Sequence, residues 1–454
     1  MPTDEELANL LKGAAARLAK SRWSADKDAR TLEVHEFFRL FEDRGSACFA
    51  AVFSFSPSGA RCFAPFISSP EIAEAETDPR FIEFAVGAIC SGREIKGRTS
   101  TLRWEGPLIS PGKVRQVEKL GGDTTNAVVK LRIGKARAVF KSYRTVDDFN
   151  PEPELLSFLS EKGCKTTPRV LGSAALAPGG PAGPEARRTV VGLLTSFVSG
   201  VPAFPAFAGN ARRSMQRRLP PHNCIPARLG IALGDLHHLL ATRGGPSDIR
   251  PEEITAGDIA RWRKHLHGRF DSALGHLPPD KAADLSARRE TFHRLLAGMD
   301  GWVGAQKLRT HQDLHLGQVL ISRGGFKFLD FEGEPLRKGA ERIEKLPPER
   351  DVATMLRSVS YAAAVALRAL KEPGDMERQR ARSWEEATSA SFIEGYLSAC
   401  PRAVRKGGRK RLISAVRVWM AEKALYEIAY EARFRPEWVE IPVEGLWRIL
   451  SDAP

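Results

Sequence analysis

HQDLHLGQVLISRGGFKFLDFEGE, residues 311–334, sets an aspartate, Asp313, five positions before an amide, Gln318, and seventeen before a second aspartate, Asp330. Between them Val319, Leu320 and Ile321 form an apolar run, Gly324 and Gly325 supply a turn, and Phe326, Phe328 and Leu329 lead into Asp330. Two short apolar segments around a glycine pair predict a hairpin. Loop and strand end then face one pocket. A carboxylate on such a loop can accept the proton of an attacking hydroxyl, while an amide oxygen and a second carboxylate offer hard ligands to a divalent cation. That is the layout of a phosphoryl-transfer site. Glu332, two residues after Asp330, adds another oxygen ligand. A lone His-x-Asp is common in loops and carries little; the string with both spacings, in a hairpin frame, carries much more.

A second glycine-bearing segment precedes it. Gly121, Gly122, Asp123, Thr124, Thr125 and Asn126 run into a strand at 127–133, a Gly134-Lys135 turn and a return strand at 137–143. Small residues in such a loop let backbone N–H groups approach phosphates. Many hairpins carry similar turns, so the segment is informative only beside the downstream motif. With it, Gly122, Thr124, Thr125 and Asn126 become the expected cover of ATP phosphates. Lys141 on the return strand is the expected partner of the α- and β-phosphates, shared with Glu154 on a helix framed by Pro151 and Pro153. Lys130 on the preceding strand competes for that role.

Composition bounds the rest. The chain has 454 residues, 42% hydrophobic, enough for two or three domains with real cores. No apolar stretch reaches the ~18 residues of a membrane span, the first residues are acidic rather than signal-like, and six scattered cysteines without a Cys-x-x-Cys pair fit reduced thiols. These features predict a cytoplasmic enzyme with no membrane partner. The net charge of +14 could attract nucleic acid, yet the basic residues are spread along the chain and no nucleic-acid motif accompanies them. Nucleic acid is therefore not an expected partner.

Along the chain, residues 5–20 read as an amphipathic helix through Leu7, Leu10, Leu11 and Leu18, and 31–105 as short β segments. Residues 172–188 read as a loop rich in Ala, Pro and Gly. Helices follow at 255–274, 280–299, 349–370, 384–399 and 409–434, after a leucine-rich one from 225 whose His237 and His238 read as packing or surface residues. On 409–434, Ile413, Val416, Trp419, Met420, Ala424 and Ile428 define an apolar face, and Lys423, Tyr426, Glu427 and Tyr430 share another side. By pattern alone that stripe is an i,i+4 surface ion pair flanked by tyrosines.

The string His311-x-Asp313-x-His315-Leu-Gly-Gln318, followed by LDFEGEP at 329–335 and by Arg350, Asp351, Val352, Ala353, Met355, Leu356, Arg357 and Ser358, resembles the maltokinases, bacterial sugar kinases of the aminoglycoside-phosphotransferase-like group, of which glucosamine kinases are close relatives. EKALYEIAYEARFRP at 422–436 is similar to that family's C-terminal sugar-binding helix. Ser21, Arg22 and Trp23 resemble, more weakly, the start of its cap domain. The likeness is tight over 308–361 and 419–443. It departs at Gln312, where glycine is expected and a bulkier side chain crowds the backbone beside Asp313.

The resemblance implies an α+β, bilobal protein-kinase-like fold: an N-terminal β-rich cap at 1–110, a kinase N-lobe at 111–198 and a helical C-lobe at 199–454. It implies ATP and Mg2+, with Asp313 as base and Gln318, Asp330 and Glu332 at the metal. Ser196 and Val198 fall in its hinge, where backbone meets adenine. His315, Lys423, Tyr426, Glu427, Tyr430 and Glu431 fall at its sugar. The implied reaction converts maltose to maltose 1-phosphate for α-glucan metabolism, alongside trehalose- and maltose-metabolising enzymes. The alternative acceptor is glucosamine, whose cationic amine suits Glu427 and Glu431. A non-catalytic nucleotide-binding regulator is the alternative of another class, and the joint presence of Asp313, Gln318 and Asp330 argues against it.

Overall fold

The computed structural model describes residues 2–21, 24, 26–43, 45–68, 71–106, 112–121, 126–178, 188–217, 224–334, 337 and 339–451. The chain parts into two compact units. The first comprises residues 1–160, 168–198 and 338–342, the second 161–167, 199–337 and 343–454.

In the first unit, Thr3 caps α1 (Asp4–Gly13) through a capping box with Glu6. The expected single helix over 5–20 is broken at Ala14, after which α2 (Ala15–Ala19) resumes. Strands β1 (Leu32–Asp43), β2 (Ser46–Phe55), β3 (Arg61–Ser68) and β4 (Ile72–Glu74) pair antiparallel in that order. Every residue of β2 is buried, because the period-two alternation of a strand feeds two cores. Ala47, Phe49, Ala51, Phe53 and Phe55 pack with Leu7, Leu11 and Leu18 of α1 and α2, while Cys48, Ala50 and Val52 join a cluster with Phe81, Ile82 and Ile89 of α3 (Pro79–Ser91).

A seven-stranded antiparallel sheet completes the unit: β5 (Glu94–Lys96), β6 (Ser100–Glu105), β7 (Val114–Lys119), β8 (Ala127–Ile133), β9 (Ala136–Ser142), β10 (Val170–Pro178) and β11 (Thr189–Ser196), ordered β5-β6-β10-β11-β9-β8-β7. Because β6 pairs with β10, this sheet runs across residue 110. Gly134 takes φ +57 in the β8–β9 turn, a conformation open to glycine at little steric cost. Lys141 in β9 sits opposite Val128 and Leu193, and α4 (Glu152–Glu161) follows.

The second unit is helical around a small hairpin. Its elements are β12 (Val201–Pro202), α5 (Ala203–Arg217), α6 (Ile225–Leu240), β13 (Glu252–Glu253), α7 (Ala256–Leu274), α8 (Pro279–Ala287), α9 (Arg289–Ala297), β14 (Gln306–Lys307), β15 (Val319–Ser322), β16 (Gly325–Phe328), α10 (Glu349–Arg368), α11 (Asp375–Ala399), α12 (Gly408–Phe434) and α13 (Glu440–Ser451). The segment expected as one helix over 280–299 is two, separated at Arg288. The helix expected from 384 starts at 375. Its first turns are polar, so apolar spacing carries no signal for them. Gly230 of α6 and Gly395 of α11 let those helices meet backbone to backbone: a Cβ on Gly395 would overlap Ala227, and one on Gly230 would overlap Phe392. Among the described residues no helix is long and apolar enough to cross a membrane.

Candidate functional site

The hairpin forms with Val319 opposite Phe328 and Ser322 opposite Gly325. His315 opens a short 3-10 turn at Leu316–Gln318, its Nδ1 accepting the Gly317 N–H at 3.0 Å. At the far end Asp330 takes φ +65, rare for a residue with a Cβ. The Gln318 amide nitrogen donates to Asp330 Oδ2 at 3.1 Å, leaving the amide oxygen as its remaining donor atom for a cation. Carboxylate oxygens of Asp330 and Glu332 lie within 4.8 Å of one another. Two carboxylates and an amide form a hard donor set that fits magnesium.

Asp313 is carried by a loop pinned from below. Asp351, fully buried at the start of α10, accepts the His311 N–H at 2.8 Å and the Gln312 N–H at 3.0 Å, and meets His237 Nε2 at 3.2 Å. Burial alone would raise the Asp351 pKa, but the His237 hydrogen bond and neighbouring charges outweigh it and hold the carboxyl below its usual range. His237 is thus a packed core histidine, its other nitrogen 2.9 Å from Tyr396 Oη. His311 Nε2 bonds the Leu329 carbonyl at 2.9 Å, tying the loop to the strand that ends in Asp330. Gln312 adopts φ +67. The glycine expected there would take that conformation readily; here the side-chain amide donates to the Glu344 carbonyl at 2.8 Å instead.

The stripe on α12 differs from its expected form. Lys423 Nζ lies 3.2 Å from Asp313 Oδ1 and 2.7 Å from Glu334 Oε1, with the Tyr426 ring centroid 4.5 Å away. Its ammonium thus contacts the expected base directly, which the spacing along the helix did not announce. Burial would lower the Lys423 pKa, but Glu334 and Asp313 more than reverse it. Glu427 receives Arg357 through two bonds, at 2.8 and 3.1 Å. Burial raises the Glu427 pKa against that pairing. Glu431 accepts Tyr361 Oη at 3.0 Å and Arg435 at 2.7 Å. Glu427 Oε2 thus answers a buried arginine of α10, whereas Glu431 Oε2 is buried with no hydrogen-bond partner among the described residues. Tyr426 is buried; Tyr430 is half-buried, 6.2 Å from Tyr426 and 4.8 Å from the exposed Phe434, ring centroid to centroid. Burial pulls the His315 imidazole below its usual range, against Asp313.

In the first unit Lys141 Nζ lies 2.7 Å from Glu152 Oε2, which also accepts Tyr143 Oη at 2.7 Å. Glu152, the first residue of α4, therefore meets the lysine two residues ahead of the expected Glu154, which is half-buried on the same helix. The competing Lys130 pairs with Glu118 at 2.9 Å. Asn126 Oδ1 accepts the Arg144 N–H at 3.4 Å. Ser196 Oγ accepts the Arg169 N–H at 2.9 Å, and Val198 is half-buried in the segment after β11. Gly122, Thr124 and Thr125, like Arg22 and Trp23, lie outside the described residues.

Reading by sequence missed Asp351 and Arg350 as supports of the loop, Glu152 as a partner of Lys141, and any role for Glu334. Asp351, Arg350 and Glu334 all sat in the matched strings without a role, and no periodicity marked Glu334.

A family model described as the phosphotransferase enzyme family, APH, matches residues 116–384. The glucosamine kinase of Streptacidiphilus jiangxiensis is 26% identical over 306 residues, 67% of this chain and 66% of that protein. The glucosamine kinase of Mycolicibacterium smegmatis is 26% identical over 226 residues, 50% of this chain and 53% of that one. The chain thus matches just under two thirds and about half of the lengths of these relatives. Among solved structures, a glucosamine kinase in crystal form B gives a TM-score of 0.76 at 20% identity, covering 99% of this chain and 100% of that one. Glucosamine kinase in complex with glucosamine, ADP and inorganic phosphate gives 0.73 at 19% identity, covering 99% of each. At such identity the likeness concerns the fold.

Proposed function

The chain belongs to the phosphotransferase enzyme family, and we propose that it is an ATP-dependent kinase of a small sugar, with Asp313 as the base. The observation that carries this reading is Asp313 on a loop pinned by Asp351 and leading into a hairpin whose open end brings Gln318 to Asp330, with Glu332 close by. The acceptor hydroxyl oxygen attacks the γ-phosphorus, the bond from that phosphorus to the ADP oxygen breaks, and the hydroxyl proton passes to Asp313. Magnesium held by Gln318, Asp330 and Glu332 would neutralise charge on the transferred group. Lys141, held by Glu152, is the first unit's cation for the α- and β-phosphates.

For the acceptor we favour a neutral sugar, maltose at its anomeric hydroxyl. The half-buried Tyr430 ring offers an apolar platform for a pyranose. Glucosamine is the second reading, favoured by the glucosamine kinases this chain is similar to.

Phosphorus NMR of products from maltose, glucose, glucosamine, trehalose and an aminoglycoside with ATP and magnesium tests both. A maltose phosphoester is the expected product, and a glucosamine phosphoester alone would move the assignment to the second reading. Absence of any ATP-dependent phosphoester would overturn the kinase reading. Asp313→Asn keeps the shape but removes the proton acceptor, so turnover should fall about 100-fold or more.

A further inference from the structure

Glu334 lies four residues beyond Asp330 and is wholly buried. Three cations converge on it: Lys423 on Oε1 at 2.7 Å, and Arg350 and Arg337 on Oε2, each at 2.8 Å. A second buried carboxylate, Glu422, completes the set, receiving Arg337 at 3.1 Å and Arg350 at 3.3 Å. Stability alone is a weak reason for such a cluster, since apolar residues of similar volume often hold a core as well. What the cluster does is geometric. The Lys423 ammonium bonded to Glu334 Oε1 also reaches Asp313 Oδ1 at 3.2 Å. The Arg350 guanidinium bonded to Glu334 Oε2 donates its other arm to the Gln312 carbonyl at 2.6 Å. One carboxylate thus fixes residue 313 twice, through its side chain and through the peptide before it.

We propose that Glu334 is the positioning residue of the base, setting the orientation of Asp313 through Lys423 and the path of its backbone through Arg350. This rests on the reading of Asp313 as the base. Glu334 touches neither sugar nor nucleotide in this role. Its negative charge divides Lys423 between two carboxylates; without it the ammonium loses the anchor that sets its angle to Asp313. Lys423 and Tyr426 from α12 and His315 from its own loop face Asp313, while Lys423, Arg350, Arg337 and Glu422 surround Glu334.

Two variants separate positioning from a merely structural role. Glu334→Gln keeps the shape and removes the charge; Lys423→Met keeps the stem and removes the ammonium, leaving Glu334 with two arginines. In each, kcat should fall about ten-fold or more while both KM values stay within about two-fold, the pattern of a contact that matters only in the transition state. The Asp313 carboxyl-carbon resonance, followed by NMR on aspartate-labelled protein and identified by its loss in Asp313→Asn, should be displaced in both. An Asp313 resonance unchanged in Glu334→Gln, or KM rising with kcat intact, would overturn the proposal. Should Glu334→Gln fail to fold, Glu334→Asp, which keeps the charge but shortens the reach to Lys423 and Arg350, takes its place with the same expected loss. The NMR arm needs no turnover, so a wild-type protein that phosphorylates no sugar would sink the kinase reading while leaving the Glu334–Lys423–Asp313 coupling to be judged by the resonance.

Discussion

Gln312 shows how a residue that looks wrong in sequence is accommodated in space. Its φ of +67 costs a side-chain-bearing residue roughly 1–2 kcal/mol relative to glycine. The bond from its amide to the Glu344 carbonyl returns about 0.5–1.5 kcal/mol. Gln312→Ala keeps the strain and loses the bond, whereas Gln312→Gly loses both. The alanine variant should therefore be less stable than the glycine variant by about 1 kcal/mol in urea denaturation; equal losses would show that φ carries no strain here. At this scale the sequence was legible where chemistry forces a spacing, as for Asp313, Gln318 and Asp330. It was illegible where burial redistributes charge. Lys423 and Glu427 are four apart and read as partners, yet each leaves the other for a residue far away in the chain: Lys423 for Asp313 and Glu334, Glu427 for Arg357. An i,i+4 pair is worth only a few tenths of a kcal/mol, so any buried countercharge wins.

Elements were legible in proportion to their apolar periodicity. The hairpin at 319–328 and the helices near 256–274, 349–368 and 408–434 announce themselves, because one face of each must be buried. The first turns of α11 do not, being polar, and the break at Arg288 is hidden by helical residues on both sides. Glycine supplied a signal that periodicity could not: Gly230 and Gly395 look like flaws in their helices but mark where α6 and α11 touch. Gly395→Ala should cost at least about 1–3 kcal/mol, as overpacking does, because the obstructing atoms belong to the Ala227 backbone and cannot rotate away. Gly268→Ala in α7 is the control, with nothing within 4 Å of the added methyl. It should stabilise by about 0.5–1 kcal/mol through helix propensity. Paired thermal melts of the two variants test this, and shifts of the same sign would contradict it.

At the scale of the whole molecule, the depressed buried carboxylates are concentrated in the second unit, where Glu427 alone among those described above is pushed up by burial. In the second unit Glu334 is held at about 2: burial would raise it, but Arg350, Lys423 and Arg337 more than compensate. Asp351, Asp258 and Glu422 are likewise held below their usual ranges, each against its own burial, by His237, by Lys307 and by Arg350 respectively. A depressed carboxylate contributes stability that is complete above its unfolded pKa and is lost as pH falls toward its folded one. For Glu334 alone the loss between pH 5 and 2 is on the order of 3 kcal/mol. In the first unit burial pushes Glu76 up despite Arg144, and a raised carboxylate acts in reverse: its contribution is complete below the unfolded pKa and declines as pH rises through the folded one. Asp78 is depressed there by its Arg80 hydrogen bond, but it is near the surface and paired with an exposed arginine, so it is worth little. Acid should therefore melt the second unit first. Six of the eight tryptophans, Trp262, Trp302, Trp384, Trp419, Trp438 and Trp447, lie in that unit, and both large sheets lie in the other. On lowering pH from 5 to 2, tryptophan fluorescence should change before the β signal in circular dichroism, and Glu334→Gln should flatten the fluorescence transition. Coincident transitions would mean that the units unfold as one and that these carboxylates do not set the order.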